Sequence, residues 1–135
     1  MKLYVDKNLN LNPDKIKLIA EFCAFCAQNL PIESEFTIYV VDRRQKHGIV
    51  TTAAYEINNN TCRIYGRNRA LVDICRSIAH EMTHMMQDEM GLLKGHIQDA
   101  GGFHEDQANA RAGELIKRFA KSKKERKSIY ESKNI

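Results

Sequence analysis

The chain has 135 residues, of which 43% are hydrophobic and 28% are charged, and its formal net charge is +4. These proportions are typical of globular proteins, so they exclude a chain that is disordered throughout and favour a single domain spanning residues 1–135. No apolar run reaches the roughly 18 residues that a membrane helix needs. Because Asp6 precedes any apolar stretch, the N-terminus does not have the pattern of a secretory signal. We therefore expect a soluble, cytoplasmic protein.

Hydrophobic periodicity and turn residues predict seven elements along the chain. Asn12 can cap the first helix, and Pro13 suits its first turn. The elements are a strand at residues 3–5, a helix over 16–30, strands at 36–41, 49–57 and 61–65, a helix over 71–90, and a last helix from about His104. The strands at 49–57 and 61–65 are predicted to form a hairpin. The order β-α-β-β-β-α-α predicts an α+β fold, a small sheet with helices packed on it.

Four cysteines stand at positions 23, 26, 62 and 75. Cys23 and Cys26 form a C-x-x-C inside an apolar helical pattern, whereas redox pairs of this kind normally open a helix at its exposed end. Cys62 and Cys75 are too far apart in sequence to form the second close pair of a zinc clip. We therefore interpret all four as small core residues that remain thiols.

The strongest chemical signal is His80-Glu81-Met82-Thr83-His84, an H-E-x-x-H on a predicted helix. Positions i and i+4 lie on one face of a helix, so the two imidazoles can bind one zinc ion. Glu81 points about 100° away around the helix, where its carboxylate can take a proton from a zinc-bound water and return it to a leaving amine. The flanking residues are apolar, and a bound metal would offset the cost of burying these polar groups.

A catalytic zinc site needs a third protein ligand and one open position. Glu105, His104 and His96 are the candidates for that ligand, and Asp106 is a more distant one. Two further residues share the face of His80. Asp73 and Ser77 can each orient an imidazole, although Asp73 also suits the first turn of a helix because a carboxylate there is favoured by the helix dipole.

His80, Glu81 and His84, followed by Glu105, Ala108 and Asn109, resemble the gluzincin clan of zinc metallopeptidases. More narrowly, residues 77–88 and 105–113 are similar to small phage-encoded metallopeptidase-like proteins. The resemblance implies a minimal zincin-like domain with a small mixed sheet, an N-terminal helix, an active-site helix and a glutamate helix. It implies that His80, His84 and Glu105 bind Zn²⁺ and that Glu81 is the catalytic residue.

The resemblance also implies roles for the residues around Glu105. Ala108 is small and would let the two helices approach, while Asn109 falls where the clan often has an Asp that holds a histidine ligand. The metzincin pattern does not fit, because Gln87 stands where a Gly is required and Met90 where the third His belongs. The implied function is zinc-dependent hydrolysis of peptide bonds in a peptide or protein substrate, in the host cytoplasm if the protein is phage-encoded.

Two other functions remain open. The chain can be a zinc-stabilised binding or regulatory module with weak or no proteolysis, since no oxyanion-stabilising residue stands out among Tyr55, Tyr65, Arg67, His96 and His104. It can also be a SprT-like, nucleic-acid-associated protease that uses His96 or His104 as its third ligand. Residues 111–135 hold nine Lys or Arg against three Glu, so a basic tail at about 120–135 would be the contact with nucleic acid in that case, whereas such a run is more often a solvated helix end.

Overall fold

The computed structural model describes residues 1–57, 59–93 and 102–130. Its strands are β1 (Lys2–Val5), β2 (Thr37–Val41), β3 (Ala53–Glu56) and β4 (Thr61–Tyr65), and its α-helices are α1 (Pro13–Asn29), α2 (Leu71–Glu89) and α3 (Phe103–Ser122). Short 3-10 helices cover Lys7–Leu9, Gln45–His47 and Lys124–Tyr130. Most of the predicted loop over residues 92–102, including His96, lies outside the described residues, as does the end of the basic tail.

The predicted order of elements and the α+β class are confirmed, and one strand boundary is wrong. Residues 49–52 are not part of the strand predicted over 49–57, because a 3-10 turn ends at Gly48 with a positive φ of 70° and β3 begins only at Ala53. Ile49 is nevertheless buried, with 4% of its surface exposed. Ile49 therefore packs into the protein from a loop. The apolar pattern of the sequence alone cannot distinguish such a loop residue from a strand residue.

The four strands form one mixed sheet in the order β1-β2-β4-β3. β1, β2 and β4 are parallel, whereas β3 pairs antiparallel with β4 and completes the predicted hairpin. β3 therefore lies at an edge of the sheet, and β4 is the strand that leads into the helix that carries the H-E-x-x-H. β4 is paired on both sides and has no free edge.

The core lies between one face of the sheet and the helices. Alternate strand residues such as Ile38, Val40, Cys62 and Ile64 point into it and pack with the apolar faces of α1, α2 and α3. On the opposite face Tyr4 stacks on Tyr39, with ring centroids 5.1 Å apart. The period-2 alternation of the strands thus assigns one face to the core.

The cysteine prediction is confirmed, since Cys23, Cys26, Cys62 and Cys75 are all free thiols with no exposed surface. The predicted start of α1 is also confirmed: Asn12 accepts a hydrogen bond from the backbone amide of Lys15 at 2.8 Å. None of the helices in the described part of the chain is long and apolar enough to cross a membrane.

The basic C-terminal segment is only partly a solvated helix end. Arg126 packs its guanidinium 4.4 Å from the ring centroid of Phe119 and lies 3.5 Å from the carboxylate of Glu21. Ile129 in the same segment is fully buried. Residues 124–130 therefore fold back onto the helices, while Lys123, Lys124 and Lys127 remain exposed.

Candidate metal centre

The two histidines project from the middle of α2, where the helix crosses the core. The helix has an apolar side that is buried against the sheet, α1 and α3. One helical turn separates His80 from His84, so their rings meet edge to face, with centroids 4.8 Å apart and Nε2 atoms 3.2 Å apart. His84 is buried, and His80 is partly open to a cleft.

Glu105 reaches the same point from the first turn of α3. Its Oε1 lies 2.6 Å from Nε2 of His84, and its Oε2 lies 3.2 Å from Nε2 of His80. A carboxylate at this end of a helix is favoured by the helix dipole. Ala108, one turn further on, is fully buried and lets α3 pack closely on α2.

These three side chains can hold a metal ion, and they form the one group of three or more potential ligands found in the described ranges. Ligand atoms 2.0–2.1 Å from a tetrahedral zinc ion lie about 3.3 Å apart. Two of the observed separations, at 3.2 Å, match that spacing, and the third, at 2.6 Å, is a direct hydrogen-bond distance between His84 and Glu105. The helices therefore bring the donor atoms close enough to hold a cation, and the 2.6 Å contact has to lengthen to reach the ligand spacing.

The alternative ligands are not in this group. His104 belongs to the same turn as Glu105, and its Nδ1 is buried with no hydrogen-bond partner in the described part of the chain. Asp106 is exposed on α3. His96 lies outside the described residues. Of the third ligands named from the sequence, Glu105 is the one that the described structure brings to both histidines.

Glu81 is buried beside the two histidines and does not belong to the ligand group. Only 7% of its surface is exposed. The pKa of its carboxyl is raised to about 7, chiefly by burial; His84 and a hydrogen bond from the backbone amide of Tyr55 oppose the rise, and the charge of Glu105 adds to it. A carboxyl group with a pKa near neutrality is suited to both accepting and donating a proton.

Gln87 is a site residue that sequence reasoning missed. It is fully buried on α2, one turn after His84, and its Oε1 lies 2.8 Å from Nδ1 of His84. Its Nε2 donates to the backbone oxygen of His104 at 3.0 Å and to Oε1 of Gln107 at 2.8 Å. Because the amide oxygen only accepts, it selects the His84 tautomer with the proton on Nδ1 and leaves Nε2 free for a metal. The same amide ties α2 to the turn that carries Glu105.

His80 has a different set of neighbours. Burial and then the nearby His84 lower its pKa, whereas the Glu105 charge and a hydrogen bond with the side chain of Asn109 raise it. Asn109 thus contacts a histidine of the site. The carboxylate of Asp73 instead binds Arg76 at 2.6 Å, and Ser77 accepts a hydrogen bond from Arg69 at 2.8 Å.

The three ligands and Glu81 line a cleft of about 660 Å³. One wall is β3 with the segment before it, from Gly48 to Tyr55, and the other is formed by α2 and the start of α3. The Tyr55 amide reaches Glu81, so its backbone points away from β4 and towards the site. The cleft therefore brings a sheet edge and the candidate metal centre together.

The residues considered as oxyanion stabilisers are engaged elsewhere or not described. Tyr55 lines the cleft, but its hydroxyl donates to Asp88 at 2.6 Å, and burial raises its pKa well above the usual range. Arg67 binds the backbone oxygens of Asp42 and Asn8. Tyr65 and His104 do not line the described cleft. His96 is outside the described residues.

Comparison of the chain with protein-family models, with curated proteins and with solved structures finds no match. The chemistry of the site is therefore inferred from its own residues and their geometry.

Proposed function

We propose that the chain is a zinc-dependent metallopeptidase of the gluzincin type with a minimal zincin-like fold. The observation that carries the proposal is the convergence of His80, His84 and the Glu105 carboxylate at hydrogen-bond distances, with Glu81 buried beside them in one cleft. If Glu105 only stabilised the fold by bonding the two histidines, these groups would not need to face an open cleft. A structural zinc site would usually have four protein ligands instead of three.

Two imidazole nitrogens and one carboxylate oxygen form a donor set that zinc accepts in hydrolytic enzymes. A bound zinc ion supplies Lewis acidity, which polarises a peptide carbonyl and acidifies water. His84 is held for this role by Gln87, and His80 by Asn109. The protein thus supplies ligands whose orientation is set before a metal binds.

Glu81 is the proton carrier in this proposal. Its carboxylate accepts the proton of the attacking water and passes it to the amine nitrogen as the C–N bond breaks. The Tyr55 backbone amide and the buried surroundings hold the carboxylate beside the ligands. The group therefore returns to its starting protonation state after each turnover.

β3 is the strand best placed to align the substrate. Tyr65 donates its backbone N–H to the oxygen of Thr52 at 2.8 Å, whereas the amide of Tyr55 points to Glu81. Backbone groups alternate in direction along a strand, so Ala53 presents its N–H and C=O to the free edge. Tyr55 faces the same way, but its N–H already bonds Glu81, which leaves its C=O for pairing. An extended peptide can pair with this edge and lie across the cleft. β4 is not available for such pairing because it is internal to the sheet.

Two sets of variants test the proposal. His84→Ala and Glu105→Ala should lose the one zinc ion per chain that the wild type retains after dialysis, as measured by elemental analysis. His47→Ala is the matched control, since His47 lies on a separate 3-10 turn, and it should keep the ion. If both site variants retain stoichiometric zinc, the ligand assignment is wrong.

The catalytic role is tested separately with Glu81→Gln. This variant should keep its zinc and cleave a denatured protein substrate about 10²–10⁴-fold more slowly than the wild type, because proton transfer is lost. A binding module would instead give no cleavage in either protein. Equal cleavage by both proteins would remove Glu81 from the mechanism.

A further inference from the structure

A cationic cluster lies in the same cleft, towards the N-terminus of α2. Arg69, Asp73, Arg76 and Ser77 line the cleft together with His80. Arg69 precedes α2, and the other three residues lie in its first two turns. The proposed hydrolysis does not use any member of this cluster.

The Arg69 guanidinium is held in place by neutral acceptors. Its Nη1 donates to the backbone oxygen of Tyr65 at 2.8 Å, and its Nη2 donates to the backbone oxygen of Asp73 at 2.9 Å and to Oγ of Ser77 at 2.8 Å. Within residues 1–57, 59–93 and 102–130, no carboxylate lies within ion-pair distance of it. A half-buried cation is thus fixed in position without an ion pair at contact distance, and the Asp73 charge acts on it only from further away.

Arg76 does not remove this excess of charge. It pairs with Asp73 at 2.6 Å, and 53% of its side chain is exposed. Two guanidinium groups therefore share one carboxylate, which leaves the cluster with a net charge of one positive unit. A cleft focuses such a charge on a bound ligand, since its walls exclude part of the screening solvent.

The position of the cluster relative to the ligands is set by two contacts. Ser77, which binds Arg69, is three residues before His80, so the Arg69 guanidinium lies about one helical turn from His80 along α2, and further from the point between the two histidines. On the opposite wall, Tyr65 joins Arg69 to Thr52, which is three residues before Tyr55 on the chain. At about 3.3 Å per residue of extended chain, a peptide lying along β3 reaches Arg69 one to three residues from the bond at the metal centre.

We propose that Arg69 and Arg76 form a carboxylate-binding subsite, so that the preferred substrate carries a carboxylate one to three residues from the scissile bond. That carboxylate is either an acidic side chain or the free C-terminus of a peptide. This proposal rests on the proposed function, because only a peptidase would cleave the bound peptide. Binding of the carboxylate can nevertheless be measured without cleavage.

The binding test uses zinc-loaded Glu81→Gln protein and short peptides of defined charge. The first peptide carries one Glu between blocked termini, the second has Gln in its place, and the third is the Gln peptide with a free C-terminal carboxylate. Isothermal titration should show that at least one carboxylate peptide binds about tenfold tighter than the blocked Gln peptide, as expected for a hydrogen bond between charged groups in a partly exposed site. The tighter of the two identifies the source of the carboxylate.

Four variants locate the effect. Arg69→Gln and Arg76→Gln in the same background should each reduce the preference to about twofold or less. Arg67→Gln is the matched control for Arg69, because Arg67 also binds backbone oxygens but does not line the cleft. Arg118→Gln is the control for Arg76, since Arg118 has a similar exposure and pairs with Glu114 on α3. Both control variants should keep the preference for the carboxylate peptide. If Arg69→Gln fails to fold, the result for Arg76→Gln decides whether the subsite exists.

Failure of this proposal differs from failure of the peptidase proposal. Equal binding of all three peptides, no binding of any, or a preference that survives in the folded Arg69 and Arg76 variants would refute the subsite. Cleavage of peptides by the wild type without regard to charge would support the peptidase and refute the subsite. A carboxylate preference that depends on Arg69, in a protein that cleaves nothing, would support the subsite and refute the peptidase.

Discussion

Gln87 links the two helices of the site. It bonds His84 on α2, and it bonds the backbone oxygen of His104 and the side chain of Gln107 on α3. We predict that Gln87→Ala lowers zinc affinity about 10–100-fold, the usual effect of losing a partner that orients a ligand. Competition with a chromophoric chelator measures the change. The variant should also lose about 1–3 kcal/mol of unfolding free energy, since buried polar groups are left unpaired.

Thr83→Ala is the matched control for that prediction. Thr83 is also fully buried on α2, but its hydroxyl donates to the backbone oxygen of Ala79 at 2.8 Å and does not touch the ligands. Its loss should lower stability and leave zinc affinity within about twofold of the wild type. If both variants bind zinc as the wild type does, Gln87 has a purely structural role.

At the residue scale, the sequence predicted the groups with strong chemical patterns and missed those that act through three-dimensional contacts. His80, Glu81 and His84 follow from the i, i+4 spacing, and Glu105 was named among several candidates. Gln87 had no signal beyond its position three residues after His84. Arg69 bonds with Tyr65 and Ser77 across a strand end and a helix start, and no periodicity in the sequence encodes such a contact.

At the scale of elements, β3 gives a sharp test because two neighbouring alanines have different backbone roles. Ala53 presents its amide to the free edge, whereas Ala54 lies in the alternate position that pairs with β4. We predict that Ala53→Pro folds and raises KM for a peptide substrate about tenfold, because one backbone hydrogen bond to the peptide is lost. Steady-state kinetics on one defined peptide provides the measurement.

Ala54→Pro should behave in the opposite way. Proline there removes a hydrogen bond within the sheet, so the unfolding free energy should fall by about 3 kcal/mol or more, as followed by urea denaturation. An unchanged KM in a well-folded Ala53→Pro variant would argue against peptide pairing on this edge. A stable Ala54→Pro variant would show that the backbone alternation along β3 is assigned wrongly.

The contact between α2 and α3 makes a second prediction at this scale. Ala108 is fully buried one turn after Glu105, so there is no room for a larger side chain. Ala108→Leu should cost about 1–3 kcal/mol of stability through overpacking and weaken zinc binding, because α3 moves away with its carboxylate. Ala110→Leu, on the exposed side of the same helix, should change neither quantity. Thermal unfolding with and without zinc separates the two effects, and equal behaviour of both variants would contradict the close-packing argument.

The order of elements was predictable because each has a local signature: Asn12 and Pro13 start α1, and alternating or three-to-four spacing marks the strands and helices. The order of strands in the sheet was not. The hairpin of β3 and β4 was predicted, but the parallel pairing of β2 with β4, for example of Ile38 with Cys62, was not. No short turn joins β2 to β4, so their pairing depends on competition among many long-range contacts. The local sequence does not specify the outcome of that competition.

At the scale of the whole molecule, the same fold that exposes a polar cleft hides every thiol. Cys23 and Cys26 on α1, Cys62 on β4 and Cys75 on α2 come from three different elements and all lie in the core. Burial raises the pKa of each of these thiols above its ordinary value. The core therefore favours the protonated thiol, and alkaline pH acts on the stability of the entire chain.

Cys23 permits a quantitative prediction, since burial raises its pKa to about 12. In the unfolded chain a thiol ionises near pH 8.5, so raising the pH from 8 to 10 stabilises the unfolded state while the folded thiol stays protonated. This one group should therefore lower the unfolding free energy by about 2 kcal/mol over that range. Cys23→Ala should show a correspondingly smaller loss between pH 8 and pH 10 in urea denaturation under reducing conditions.

Ile19→Val on the same helix is the control that separates ionisation from packing. Ile19 is fully buried, so its truncation to Val should lower the unfolding free energy by about 0.5–1.5 kcal/mol. The loss should be the same at both pH values. Only removal of the ionisable group should change the slope of stability against pH. If Cys23→Ala and Ile19→Val keep the slope of the wild type, the Cys23 thiol ionises as readily in the folded chain as in the unfolded one, and the core is more accessible to water than its packing indicates.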